Sequence, residues 1–123
     1  MPVVFEKHTF DDLASLKVGD LDKLPYGVIQ LSRSGDILAY NAAEADLTGR
    51  DPKAIIGKNF FREVAPCTDR PEFRGRFEEV MKSADTMVSF EYTFDHQMAA
   101  TRVKVQMKRH GSSDTCWVIV SRL

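Results

Sequence analysis

The apolar residues of this chain keep a helical rhythm through its middle and a period of two over its last third. That change of rhythm restricts the chain to a mixed fold. Phe73, Phe77, Val80, Met81 and Ala84 follow the i, i+4, i+7, i+8, i+11 spacing of one buried helical face, in a segment opened by Pro71. From there Val88, Phe90, Tyr92 and Phe94 alternate with Ser89, Glu91, Thr93 and Asp95. Val103, Val105 and Met107 alternate with Arg102, Lys104, Gln106 and Lys108. Side chains that alternate in this way describe half-buried strands with one apolar face. A more continuous apolar strand over 117–120 follows the turn His110-Gly-Ser-Ser-Asp114.

The earlier chain is more heavily punctuated. Thr9-Phe-Asp-Asp12 offers a capping box with Phe10, Leu13 and Ala14 on one helical face, and Gly19 can end that helix. Leu21, Leu24 and Pro25 form a short connector. Residues 26–32 read as a strand, Arg33-Ser-Gly-Asp36 as a tight turn and 37–40 as the paired strand. Asn41-Ala-Ala-Glu44 is a capping-box variant, and Asp51-Pro52 places a cap before a proline at the first helical position, with Gly57 closing that piece. Phe60, Phe61 and Val64 carry the apolar stripe on to Ala65-Pro-Cys-Thr-Asp69. Two strands, several helices and three further strands make an α+β fold, an antiparallel sheet with helices on one face. A concave pocket between the helical middle and the sheet is the expected place for a ligand.

A chain of 123 residues, 43% of them hydrophobic, suits one domain that buries roughly two-thirds of its unfolded surface. The formal net charge is −1 with 28% charged residues and no long block of one sign. Nucleic acid and anionic membranes are therefore poor partners. The opening residues lack a basic stretch followed by an apolar run, and nothing approaches the ~18 apolar residues of a membrane span. A soluble, cytoplasmic, monomeric protein is expected. Cys67 and Cys116 are too few for a disulfide scaffold and lack metal-ligand spacing, so no metal site is expected.

The residues that could carry chemistry each have a plain structural reading beside the functional one. Cys67 precedes the Pro71 helix, where it is either a small buried hydrophobe or a thiol near backbone donors. Glu44 can reach back to cap Asn41, or its apolar neighbours Ala42, Ala43, Ala45 and Leu47 can desolvate it, raise its pKa and make it a proton donor. Tyr40, four residues earlier, can fill the core with its hydroxyl satisfied locally. Thr48 and Arg50 read as ordinary helix-end residues, and Phe60, Phe94 and Met98 as core. His8, His96 and His110 are scattered without metal spacing, which favours surface or turn roles.

Several separated segments change that balance. Tyr40-Asn-Ala-Ala-Glu44, Thr48-Gly-Arg50-Asp-Pro, Ile56-Gly-Lys-Asn-Phe-Phe61, Val64-Ala-Pro-Cys-Thr-Asp69, Pro71-Glu-Phe, Phe90-Glu-Tyr-Thr-Phe-Asp95 and Gln97-Met98 stand in the order and spacing of one family. On these segments the chain resembles the photoactive yellow protein family. The likeness runs on to the Trp117 strand and is weakest before Tyr26. It implies the PAS fold, a five-stranded antiparallel sheet flanked by helices, with an N-terminal helical cap over 1–25 and a PAS core over 26–123.

The resemblance also implies a blue-light photoreceptor with 4-hydroxycinnamic (p-coumaric) acid thioester-linked to Cys67. Trans–cis photoisomerisation, proton transfer from Glu44 and a reversible photocycle would signal to a downstream protein. Tyr40 and protonated Glu44 would donate hydrogen bonds to the phenolate oxygen. Thr48, Arg50, Phe60, Val64, Thr68, Phe94, His96 and Met98 would support the pocket; Thr48 would orient Tyr40, Arg50 would cover the pocket and Met98 would assist return to the dark state.

Two positions depart from the best-known relatives: Ala45 stands in place of a glycine and His96 in place of a tyrosine. His96 is expected to make dark recovery pH-dependent between about pH 5 and 8, and an unchanged profile in His96→Phe would remove that role.

Two rival readings remain. A PAS-type binding module would hold its ligand without a covalent bond and release it on denaturation. A flavin sensor of the same fold would need its reactive cysteine beside Gly57-Lys-Asn59, where Phe60 stands. A cysteine-nucleophile enzyme pairing Cys67 with His96 lacks an oxyanion motif, so no enzymatic activity is expected.

Overall fold

Three short polar side chains turn extended backbone into helical turns, and in doing so they place the middle of the chain over the sheet. The computed structural model describes residues 18–83, 86–95, 98–109 and 114–123. A single turn, α1 (Val18–Leu21), leads into strands β1 (Gly27–Ser32) and β2 (Ile37–Tyr40). Asn41 then caps α2 (Ala42–Thr48) by accepting from Glu44 N, and Asp51 caps α3 (Pro52–Ile55) by accepting from Lys53 N. Asn59 accepts from Phe61 N and Arg62 N and opens a wide helical turn over Phe60–Val64. A 3₁₀ turn (Pro66–Thr68) and a second wide turn (Pro71–Gly75) lead into α4 (Arg76–Met81). Strands β3 (Met87–Phe94), β4 (Thr101–Arg109) and β5 (Thr115–Arg122) follow.

The five strands form one antiparallel sheet in the order β2-β1-β5-β4-β3. The turn between β1 and β2 depends on Gly35, whose φ of 91° is left-handed and whose absent Cβ leaves room for Phe61. The main core lies between the sheet and the helical middle. It joins Ile29, Leu31, Val103, Val105, Met107, Val118 and Val120 to Phe60, Phe61, Phe73, Phe77, Val80 and Met81. The helical stripe read from the sequence is thus buried as expected, although it begins with a wide turn at Pro71; Ala84 lies outside the described residues.

The expectation of one solvated sheet face is corrected in β4. Gln106 and Lys108 sit on the polar phase of that strand, yet they are 1% and 6% exposed. Strand β4 runs between β3 and β5, and its register sets Gln106 beside Ile119 and Lys108 beside Trp117. Trp117 and Ile119 form a second cluster with Leu21, Val28 and Ala39, against which Leu24 and Tyr26 pack. Around β1, β5 and the second half of β4 the sheet is therefore buried on both faces, with Leu21 of α1 on the face opposite the helical middle, while Ser89 and Glu91 of β3 remain exposed. The helix expected around Thr9-Phe-Asp-Asp12, and His8, His96 and His110, lie outside the described residues.

Candidate functional site

The site is built from the end of β2 and the first turns of α2. Asn41, almost fully buried, fastens this corner with both ends of its amide. Its Oδ1 accepts from Val28 N at 2.9 Å and Glu44 N at 3.1 Å, and its Nδ2 donates to Leu21 O and Tyr26 O, each at 2.9 Å. The N-cap signal in the sequence was legible, whereas the bonds back to β1 and the preceding segment were not.

Asn41 N donates to Val28 O, which removes the donor that a capping Glu44 would need. Glu44 instead turns inward and is fully buried, and neither carboxyl oxygen has a hydrogen-bond partner among the described residues. The reciprocal cap is thus corrected to a desolvated acid. Burial raises the Glu44 pKa to about 8, against the opposing pull of the Arg50 charge. Glu44 is therefore mostly protonated at neutral pH.

Tyr40 and Thr48 stand beside it, their hydroxyls 2.6 Å apart. Thr48 spends its one hydroxyl proton on Glu44 O at 2.9 Å, which makes Tyr40 the donor to Thr48. The Arg50 guanidinium lies within hydrogen-bonding reach of the Tyr40 hydroxyl. Burial first, and then the Glu44 charge, push the Tyr40 pKa up to about 12, while the Thr48 and Arg50 hydrogen bonds pull the other way.

Cys67 lies half-buried in the Pro66–Thr68 turn and packs against the same core cluster that contains Tyr40, Phe60, Val64 and Phe94. Met98 and Ala45 also pack against that cluster. Buried Thr68 fixes the turn by donating to Ala65 O at 2.7 Å. From β3 the Tyr92 hydroxyl donates to Cys67 O, a contact for which the sequence offered only the inward phase of Tyr92. A cavity of about 250 Å³ opens beside the turn, lined by Cys67, Arg70, Glu72, Tyr92, Thr93 and Asp95. Cys116 is fully buried, and burial pushes its thiol pKa up to about 12, which leaves it unreactive. The structure thus groups Tyr40, Glu44, Thr48 and Arg50 at one place and Cys67 with Thr68 at another, with Phe60, Val64 and Phe94 in the common core. His96 lies outside the described residues.

With that geometry in hand, comparison defines the class first: residues 20–122 match the PAS fold family. A solved photoactive yellow protein domain, from the sensor histidine kinase Ppr of Rhodospirillum centenum, superposes with a TM-score of 0.84 at 41% identity, covering 92% of this chain and 99% of that one. Photoactive yellow protein of Halochromatium salexigens is 51% identical over 92% of this chain and 90% of its own length. That of Rhodothalassium salexigens is 51% identical over 90% and 89%. The chain belongs to the photoactive yellow protein family of PAS domains.

Among the described residues no helix is long and apolar enough to cross a membrane.

Proposed function

We propose that this chain is a blue-light photoreceptor carrying a p-coumaroyl group as a thioester on Cys67. The observation that supports this most is Glu44, a fully buried acid with no hydrogen-bond partner among the described residues, set beside the Tyr40 hydroxyl. Such a group is an unused donor in a buried site, and leaving it unpaired is unfavourable. An acceptor oxygen on a ligand would complete it. A p-coumaroyl group supplies that oxygen as a phenolate, at the end of a conjugated tail that absorbs blue light and isomerises.

The chain's own residues divide the remaining work. Glu44 holds a proton on its carboxyl near neutral pH and donates from it. Tyr40 supplies a second donor once its hydroxyl proton turns from Thr48, and Thr48 keeps the ring in place. Arg50 covers the site from solvent, and its charge offsets that of the bound anion. Cys67 supplies the sulfur and, through its backbone N–H, a donor for the thioester carbonyl. Tyr92 steadies the attachment turn from β3. Phe60, Val64, Thr68, Phe94 and Met98 exclude water, and exclusion of water strengthens every hydrogen bond inside. The role of His96 stays as the resemblance implies it.

Loss of the Glu44 proton would leave a buried carboxylate, and its desolvation penalty of several kcal/mol compares with a whole domain's stability of ~5–15 kcal/mol. Release of the cap proposed for residues 1–25 from the 26–123 core is the output that relieves this. The second apolar cluster, which takes Leu21 and Leu24 from that segment, is the surface on which the cap is proposed to rest. Illumination should speed amide hydrogen exchange in residues 1–25 relative to the dark; equal exchange in both states would count against cap release.

The function itself is tested by reconstitution with activated p-coumaric acid. Wild type should acquire a visible band that bleaches under blue light and recovers in darkness, and the pigment should stay on the chain through denaturation. Cys67→Ala should stay colourless. A wild type that remains colourless after competent reconstitution would leave a PAS domain for another ligand.

A further inference from the structure

Glu44 reaches its buried position over a residue that has no side chain. Gly27, on β1, faces α2, and a Cβ built on it would lie 3.0 Å from Glu44 Oε2, 3.1 Å from Cδ and 3.2 Å from Cβ. All three distances fall inside ordinary carbon contact of about 3.5–4.0 Å. Gly27 is not among the glycines with positive φ, which are Gly35, Gly49 and Gly57. Its backbone conformation is therefore open to any residue, and the requirement for glycine here is one of space.

We propose that Gly27 is a positioning residue for Glu44, its bare Cα forming the floor that fixes where the carboxyl sits.

A methyl group on Gly27 could not be accommodated by a simple swing of the acid. Rotation of the Glu44 side chain moves Oε2 and Cδ, but Cβ is tied to the helix backbone. Nor can α2 retreat freely. Asn41, its cap, bonds to β1 twice, through Val28 N to Oδ1 at 2.9 Å and Asn41 N to Val28 O at 3.1 Å, on the residue next to Gly27. The last residue of α2 is held as well, through the hydroxyl pair of Thr48 and Tyr40, which ends β2, 2.6 Å apart. The carboxyl yields first, and the contact at Glu44 Cβ still demands a small shift of the start of α2 against β1. Among the described residues its charged and titratable neighbours are Tyr40 from β2 and Arg50 from the segment after α2, while β1 carries no titratable side chain. A displacement of a few tenths of an ångström within this set changes the acid's distance to the Arg50 charge and to the Tyr40 hydroxyl, and hence its vibrational frequency and its titration.

The inference deepens the reading of Glu44 as proton donor and rests on it, but its test uses the unloaded chain. The carboxylic C=O stretch of Glu44, assigned by subtraction of the Glu44→Gln spectrum, is followed by infrared titration in wild type, Gly27→Ala and Gly75→Ala. Gly75 is the control, because it has helical φ and a Cβ there meets nothing within 4 Å. Gly27→Ala should shift the band and move its midpoint by about half a pH unit or more, with Gly75→Ala matching wild type. A Gly27→Ala protein that keeps the wild-type band and midpoint overturns the proposal. If Gly27→Ala does not fold, the pair Gly27→Ala with Glu44→Ala decides: recovery of folding supports the steric floor, and its failure rules the floor out. After reconstitution the absorption maximum of Gly27→Ala should also move. An infrared shift in chains that take up no pigment would sink the photoreceptor reading and leave the role of Gly27 standing.

Discussion

Replacing Glu44 by glutamine should flatten the pH dependence of stability of the unloaded protein between about pH 4.5 and 8. The buried acid titrates at about 8 in the folded chain against 4.5 for the ordinary group. The folded state thus holds a proton that the unfolded state releases, so the contribution is complete below pH 4.5 and is lost as pH rises through 8. A shift of this size corresponds to about 5 kcal/mol across the window. Glutamine keeps the volume but cannot titrate, so its buried amide changes stability by a constant amount at every pH. Urea unfolding of both proteins at a series of pH values checks this. The difference between them should turn progressively in favour of Glu44→Gln as pH rises. Parallel profiles would mean that Glu44 is hydrated or paired, and the case for an unused donor would fail with them. Cys116 does not interfere, because its titration near 12 lies outside the window.

What the sequence discloses of this protein depends on how local each cause is. The capping residues Asn41 and Asp51 act within three residues of themselves, so their turns can be read from the chain alone. The strand periods are equally local, and they place Phe94, Val103 and Val105 in the core as expected. Burial of Gln106 and Lys108 is set by a neighbouring strand and by an apolar cluster from distant segments, neither of which leaves a trace in the local pattern. Glu44 shows the same limit. Its spacing from Asn41 fits a reciprocal cap, but Val28 takes the Asn41 amide first, and that competitor comes from 13 residues upstream. The family resemblance reached Glu44, Tyr40 and Cys67 through whole segments, whereas Gly27 and Tyr92 matter through single contacts across the fold.

The second large effect is expected at Phe73, which the sequence presents as the first apolar position of a helical stripe and as part of the Pro71-Glu-Phe segment. In the fold it is fully buried, and its ring meets those of Phe60, Phe61, Phe90, Tyr92 and Phe94 at centroid distances of 5.2 to 6.1 Å. It is the ring common to the helical middle and to β3. Removing it loses the transfer energy of the ring and leaves a cavity whose walls come from rigid strands and helical turns, so collapse is limited. Phe73→Ala should therefore lower stability by about 3–5 kcal/mol, a large share of the ~5–15 kcal/mol of a typical domain. Phe73→Leu, which retains most of the volume, should lose far less. Because Tyr92 packs on this ring and holds Cys67 O, the alanine variant should also load pigment more slowly at Cys67 even where it remains folded. Urea unfolding and the rate of pigment uptake measure the two effects separately. A loss below about 2 kcal/mol would show that the aromatic cluster can close over the gap, and the attachment turn would then have to draw its rigidity from Thr68 and Tyr92 alone.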